Sequence, residues 1–473
     1  MRNMLAATLI ALASAGQQTP DRTASPKPGP LPALKPPAIQ KRALSNGLPV
    51  WIVELHKVPV VQVSLVVKAG SATDARGKFG AASLTAEMLD EGAGARGALE
   101  IADAVDYLGA ALSTGSSFDA STVSLHVPAA RLGDALPVMA DVTLRPTFPD
   151  KDLQRVREEL LASLVQAEDD PETLIQVAFP RLVYGPAHRY GTLDIGTAAA
   201  LKGFTVEDLR QFHAAHYLPS RSVLIVAGDV TPDRVIPLLE SAFGGWKGPG
   251  AGTPAVLPEA PQLKTRQVYL VDKPGAAQSQ IRMGWIGVPR STPDFFALRV
   301  LNTVLGGAFT SRLNTNLREK HGYAYGASST FDMRAGAGPF YAAAGVQTDK
   351  TSEALREFFN ELTSIRTLVP GDELEKAKNY LALLLPRNFE TSSNLASSLS
   401  QMFIYSLPDD YFATYTDSIR AVTSADVQRV AQKYIQPERF AVVVIGDRKI
   451  VEPGIRALNL GPIRVVSIPE IMK

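Results

Sequence analysis

The sequence predicts an α+β fold made of two tandem homologous halves, each of mixed sheets with helices packed on one face. Three observations predict it. Arg221-Ser-Val-Leu-Ile-Val-Ala-Gly-Asp229 returns as Arg439-Phe-Ala-Val-Val-Val-Ile-Gly-Asp447, and both read as buried strands closed by a turn. Thr205-Val-Glu-Asp208 and Thr423-Ser-Ala-Asp426 both read as capping-box helix starts, and both helices run to a Tyr (Tyr217, Tyr434) with Pro219 or Pro437 just beyond. Ser117-Phe118-Asp119 is echoed by Thr330-Phe331-Asp332. The offset stays near 213–218 residues, far longer than a solenoid period, so a large unit is duplicated.

Taken in order, residues 1–15 read as a secretory signal peptide: Arg2 is a basic start, Met4 to Ala13 are apolar, and Ala13-Ser14-Ala15 suits cleavage. Residues 16–38 form a Pro-rich spacer of extended character. The first half spans 39–245, a linker 246–261 and the second half 262–473, with Lys247-Gly-Pro-Gly-Ala-Gly-Thr-Pro254 as its Gly/Pro punctuation. In the first half, Asn46-Gly47 turns a hairpin between strands Lys41–Leu44 and Pro49–Val53. Val60–Val67 and Ser121–Val127 are strands, the latter with Val123, Leu125 and Val127 on one face. Helices are expected over Gly80–Leu89, Leu99–Leu108, Arg131–Asp141 and Lys151–Ala167. In the second half Ile281, Met283 and Trp285 alternate as a strand does.

Composition narrows the function. The 473 residues carry 48 Lys+Arg against 47 Asp+Glu, which leaves no nucleic-acid footprint and no polybasic membrane patch. No apolar run reaches the roughly 18–20 residues of a membrane span. With no Cys, disulfides, thiol nucleophiles and Cys-based zinc sites are excluded. The signal peptide makes a periplasmic or secreted location the expectation.

Gly77-Lys-Phe-Gly-Ala-Ala-Ser-Leu-Thr-Ala-Glu-Met-Leu-Asp-Glu-Gly92, preceded by an Asn-Gly hairpin, a strand and Lys68-Ala-Gly-Ser71, resembles the first helix of the pitrilysin/insulinase (inverzincin) metallopeptidase family. The resemblance spans both halves and the linker, and implies a clamshell. Active members carry H-x-x-E-H on this helix. Two His at i and i+4 share a helical face and grip Zn²⁺, and the Glu between them is the general base on bound water. Here the five positions read Ser83-Leu84-Thr85-Ala86-Glu87, so both His and the base are gone and Glu87 alone offers a carboxylate. The third ligand, a Glu upstream of an acidic turn matched by Glu168-Asp-Asp-Pro171, falls on Ala162, and a substrate-binding Asn falls on Ser113. No metal is therefore expected in this chain.

The second half keeps its signature. Leu305-Gly-Gly-Ala-Phe-Thr-Ser-Arg-Leu313 and Leu317-Arg-Glu-Lys-His-Gly-Tyr-Ala-Tyr325 resemble the family's paired Arg and Tyr, seven residues apart. The resemblance implies that Tyr325 stabilises the oxyanion of a tetrahedral intermediate, and that Arg318 offers its planar fork to peptide carbonyls.

Other candidates carry less. His213 and His216 lie three apart on a helix, but the twin helix has Val430 and Lys433 there, so a scaffold role is expected. His321 reads as a turn residue, and His56, His126 and His188 lack partners at ligand spacing. Gly306-Gly307 and Gly92-Ala-Gly94 precede no Lys-Ser/Thr pair and read as turns. Ser83 lacks a G-x-S-x-G elbow.

The resemblance implies a non-catalytic subunit like the zinc-less chain of mitochondrial processing peptidase and of certain bacterial periplasmic heterodimers. An H-x-x-E-H partner would supply zinc and base, this chain Arg318 and Tyr325, and extended peptides would be the substrates. The alternative is a structural or peptide-binding pseudoenzyme with no role in proteolysis, as in the core subunits of the respiratory cytochrome complex. A third reading, a peptidase using Glu87 with His residues as substitute ligands, needs a geometry this helix does not supply.

Overall fold

The strongest strand signals, Val60–Val67 and the two repeated apolar runs, form the centres of two sheets. The computed structural model describes residues 35–248 and 257–473, so the leader-like segment, most of the spacer and the middle of the linker lie outside it. Pro36 to Lys473 form one compact unit.

The first sheet contains β1 (Gln40–Ala43), β2 (Pro49–Glu54), β3 (Val60–Val67), β4 (Ala111–Ser116), β5 (Ser121–Pro128) and β6 (Ser222–Gly228). Its order is β1-β2-β6-β3-β5-β4, with only β2 and β6 parallel. The second contains β7 (Gln267–Asp272), β8 (Gln278–Ile286), β9 (Ala324–Phe331), β10 (Pro339–Gln347), β11 (Ala441–Gly446) and β12 (Ile463–Val466). Its order is β12-β7-β11-β8-β10-β9, which repeats the first sheet position for position. The outer strand breaks the symmetry: β1 comes from the start of its half and runs antiparallel to β2, whereas β12 comes from the end and runs parallel to β7.

Helices α1 (Ala81–Glu87), α2 (Ala98–Tyr107), α3 (Leu132–Leu144), α4 (Asp150–Asp169), α5 (Pro171–Tyr184), α6 (Val206–His216) and α7 (Pro232–Phe243) belong to the first half. In the second half lie α8 (Phe295–Asn302), α9 (Thr351–Ser364), α10 (Gly371–Leu384), α11 (Ser392–Ile404), α12 (Tyr411–Ala421), α13 (Ser424–Tyr434) and α14 (Arg448–Ala457). The twin capping boxes form as the sequence predicts. Thr205 and Thr423 accept from the amides of Asp208 and Asp426, whose carboxylates accept in return from the Thr205 and Thr423 amides at 2.9 and 3.0 Å.

Each half covers one face of its own sheet. Val61, Val63, Leu65 and Val67 of β3 share a core with Leu84, Met88, Leu136 and Met139 from α1, the residue after it, and α3. The other face is covered by the other half. Helix α11 of the second half packs on β3 and β6, where Ser393 Oγ donates to Gln62 Oε1 at 3.0 Å. Helix α5 of the first half packs on β8 and β11 of the second sheet. Its Leu174, Ile175, Ala178 and Phe179 share a core with Tyr269, Val271, Val443 and Ile445. Burying a side chain of this size contributes about 1.5–3 kcal/mol, so the exchange ties the halves into one clamshell. The acidic turn Glu168–Pro171 starts the exchanged helix. Asp170 accepts from the Thr173 amide at 2.8 Å, and Pro171 occupies the first turn, where its missing N–H costs nothing.

The first of the echoed tripeptides meets the loop that follows the second, and Arg334 in that loop holds Asp332 with its Nε at 3.0 Å. Asp119 accepts from the Ala335 amide at 3.0 Å and from Tyr405 Oη at 2.9 Å, and the Arg334 guanidinium lies 3.8 Å from the Phe118 ring centre.

Candidate functional site

Helix α1 is held at its start by a carboxylate from outside it. Asp74 accepts from the amides of Gly80 at 2.7 Å and Ala82 at 2.9 Å, and Arg189 Nε lies 3.0 Å from the same group. Both side chains are almost wholly buried. Burial pushes the Asp74 carboxyl up to about 6, against the pull of Arg189 and the two amides. Arg189 Nε also donates to Ser71 O, and its two terminal nitrogens donate to Thr192 Oγ1, Leu193 O and Asp194 O, all at 2.6–2.8 Å. Gly80, with φ of +104°, sits against Ile195 O so closely that a Cβ would approach it to 2.3 Å. Sequence reasoning missed this clamp, because Asp74 and Arg189 are 115 residues apart and nothing local marks either.

Ser83, Ala86 and Glu87 ride on this helix. Ser83 is buried, and its Oγ donates to Asp194 O at 2.9 Å. Ala86 is fully buried and offers only a methyl group. Glu87 is exposed, yet the surrounding protein and the negative charges of Asp90, Asp194 and Glu91 push its carboxyl up from the usual range. Ala162 lies exposed on α4, and Ser113 is exposed on the edge strand β4. One carboxylate, a hydroxyl already engaged and two methyl groups do not fit a zinc ion, which needs three protein ligands and an open position. Among the described residues no group of three or more His, Asp or Glu side chains could hold a metal.

His213 and His216 take scaffold roles. His213 Nε2 lies 2.8 Å from Thr143 O and the ring stacks on Tyr217. His216 Nδ1 lies 3.1 Å from Arg221 Nη1. His321 follows the helical turn of Thr315–Lys320 and stacks on Tyr323.

The Arg–Tyr pair comes together in the second half. Thr315–Lys320 is a π-helical turn, a conformation common at functional sites, and it carries Arg318. Tyr325 follows on β9, where the register with β10 shifts between Ala324 and Ala327. This irregularity on an edge strand re-aims the side chain outward, and Tyr325 is 86% exposed. The Arg318 guanidinium lies 5.0 Å from the Tyr325 ring centre and 4.7 Å from that of Phe309. It also meets the Glu319 carboxylate at 3.1 Å. Stacking fixes the planar fork and leaves its edge for hydrogen bonding. A concavity of about 460 Å³ surrounds the pair, floored by Gly306, Gly307 and Asn314. Gly306 is required there, since a Cβ would come within 2.2 Å of the Ser329 amide. The chemistry on offer is a phenol and a guanidinium side by side on an open surface. Phe309, the second ring against Arg318, was legible only as part of the Leu305–Leu313 signature.

Comparison with known proteins agrees with this architecture. Residues 50–189 match the model of the insulinase family, peptidase family M16, and residues 203–381 match that of the peptidase M16 inactive domain. A protein described as an uncharacterized zinc protease of Mycobacterium tuberculosis is 28% identical over 424 residues, covering 88% of this chain and 94% of that protein. A similarly described protein of Bacillus subtilis is 26% identical over 362 residues, 76% of this chain and 86% of that one. The crystal structure of a peptidase M16 inactive domain from Pseudomonas fluorescens superimposes with a TM-score of 0.79 at 25% identity, covering 86% of this chain and 98% of that one. A protease from Helicobacter pylori shares the fold with a TM-score of 0.81 at 22% identity, over 87% of this chain and 100% of that one. With the two family models falling one after the other along the duplicated fold, the chain belongs to the insulinase family of peptidases, family M16.

Proposed function

We propose that this chain is a zinc-less subunit of a heteromeric zinc-dependent endopeptidase. A homologous partner bearing H-x-x-E-H supplies the zinc and the general base, and this chain contributes Arg318 and Tyr325 to the shared site. The observation that carries the reading is the split between the two halves. On α1, Ser83 is wired into the scaffold, Ala86 is a methyl group and Glu87 alone keeps a carboxylate, whereas Arg318 and Tyr325 are stacked together, with the phenol bare on the surface. A scaffold protein gains nothing from an 86% exposed tyrosine held over an arginine. A peptidase gains a donor for the oxygen that becomes negative as the peptide carbonyl is attacked. Arg318 acts beside it by donating to substrate carbonyls. The N-terminal leader-like sequence supports a periplasmic or secreted location, where extended peptides would be the substrates.

The test is reconstitution. This chain is co-expressed with an H-x-x-E-H homologue from the same genome, and turnover of a quenched fluorescent peptide is measured for the pair and for each chain alone. Activity only in the pair, reduced by Arg318→Ala and by Tyr325→Phe without dissociation, is the expected result. A stable pair whose turnover ignores both substitutions would favour the structural, peptide-binding role instead.

A further inference from the structure

A cavity of about 870 Å³ lies away from Arg318 and Tyr325, between α8, α10, α11, α12 and the end of β9. That volume falls within the roughly 300–1,000 Å³ of small-molecule sites. Its walls are mixed in an uneven way. Phe331, Leu381, Leu385 and Phe412 supply apolar surface. Arg290, Arg299 and Arg387 also line it, against one lining carboxylate, Asp332. That carboxylate is engaged by Arg334, whose Nε lies 3.0 Å from it. Among the described residues none of the three lining arginines forms an ion pair with a carboxylate.

Arg290 is the most confined of the three. Its guanidinium lies 3.5 Å from the Phe295 ring centre, and Nη2 donates to Tyr411 Oη at 2.8 Å. Burial lowers its proton affinity, the nearby tyrosines oppose that, and the positive charge of Arg299 lowers it further. Two like charges brought together beside aromatic walls repel unless an anion lies between them. The lining carboxylate, Asp332, is taken by Arg334 and pairs with neither arginine, and the cavity has room for an anion.

We propose that this cavity binds an amphiphilic carboxylate, with its head group on Arg290 and Arg299 and its apolar body along Phe331, Leu381 and Phe412. Arg387 adds to the positive field at the wall. Such a carboxylate has two sources, a free aliphatic acid and the C-terminus of a peptide ending in apolar residues. The inference is independent of the proteolytic reading, since no lining residue belongs to the Arg318–Tyr325 site.

Isothermal titration of the full chain tests it, with decanoate against decanol and with acetyl-Leu-Leu-Phe against its C-terminal amide. Arg299→Gln and Arg387→Gln are the variants, chosen because both arginines are exposed and unpaired, so the fold does not depend on them. Saturable binding of one acid is expected, with its uncharged counterpart at least about 10-fold weaker and Arg299→Gln losing a similar factor. The acid that binds identifies the source. Equal binding of acid and uncharged counterpart, binding unaffected by Arg299→Gln, or no binding of either acid would overturn the proposal.

Discussion

Ser83 and Arg189 donate to one carbonyl oxygen. Ser83 Oγ reaches Asp194 O at 2.9 Å, and Arg189 Nη2 reaches the same atom at 2.7 Å. The first His position of the family's metal helix thus serves here as a fastener between α1 and the 192–196 loop. The two donors differ in what their loss leaves behind. Ser83→Ala removes a neutral hydrogen bond while Arg189 still satisfies the carbonyl, so it should cost about 0.5–1.5 kcal/mol. Arg189→Ala leaves the buried Asp74 carboxylate without its cation and takes a donor from four further acceptors, and should cost about 3–5 kcal/mol. Urea denaturation at matched slope measures both. Equal losses would show that the Asp74–Arg189 clamp is not what holds the helix.

Tyr325 and Arg318 should separate by kinetic signature once the active pair is assembled. Removal of the phenolic hydroxyl in Tyr325→Phe deletes a donor that matters as charge develops, so kcat should fall by about 10²–10³ with KM little changed. The aromatic ring stays, and with it the stack on Arg318. Arg318→Ala removes the fork and one layer of that stack, so both KM and kcat should worsen. Arg318→Lys should not rescue it, because a point charge cannot reproduce a planar fork. Rescue by Lys would reduce the role of Arg318 to bulk charge.

Phe179 tests the exchange of helices. It is fully buried on α5, a first-half helix, and its ring centre lies 6.0 Å from that of Tyr341 on the second sheet. Phe179→Ala should destabilise by about 3–5 kcal/mol. Because α5 covers the second sheet while α11 covers the first, the loss should appear in one shared thermal transition. Two separate transitions, one unchanged, would mean that the halves fold independently.

Much of this was written locally in the sequence. The apolar runs at Val60–Val67, Ser222–Gly228 and Ala441–Gly446, the twin Thr capping boxes and the Asn46-Gly47 hairpin depend on neighbours a few residues away, and each forms where the pattern puts it. The duplication made the second sheet legible from the first. What the sequence did not disclose is where α5 and α11 go. Their apolar faces state that they pack, and nothing in a periodicity states against which sheet. The pairing of Asp74 with Arg189 was hidden for the same reason, as was the contact of Asp119 with Tyr405. In the Arg–Tyr site, the seven-residue spacing was visible in sequence, but the exposure of Tyr325 depends on a register shift between β9 and β10. The echo of Ser117–Asp119 in Thr330–Asp332 marked a repeat; only the fold shows that the first copy packs against Arg334 and Ala335, just after the second.

His216 gives the chain an acid-side weakness. Burial, helped by the positive charge of Arg221, brings the imidazole down from its ordinary 6.5 to about 4. In the folded chain the neutral ring presents Nδ1 to Arg221 Nη1, so protonation would set two cations 3.1 Å apart. In the unfolded chain the ring titrates near its ordinary value. Between pH 6.5 and 4 the unfolded state therefore binds more protons, and stability falls as pH falls through that window. Burial lowers His213 as well, and it adds in the same direction. His216→Gln keeps an acceptor for Arg221 and cannot protonate. Its melting temperature should match that of the wild type at pH 7.5 and exceed it at pH 5. An unchanged difference between the two proteins across that range would show that His216 is not the group whose titration weakens the fold.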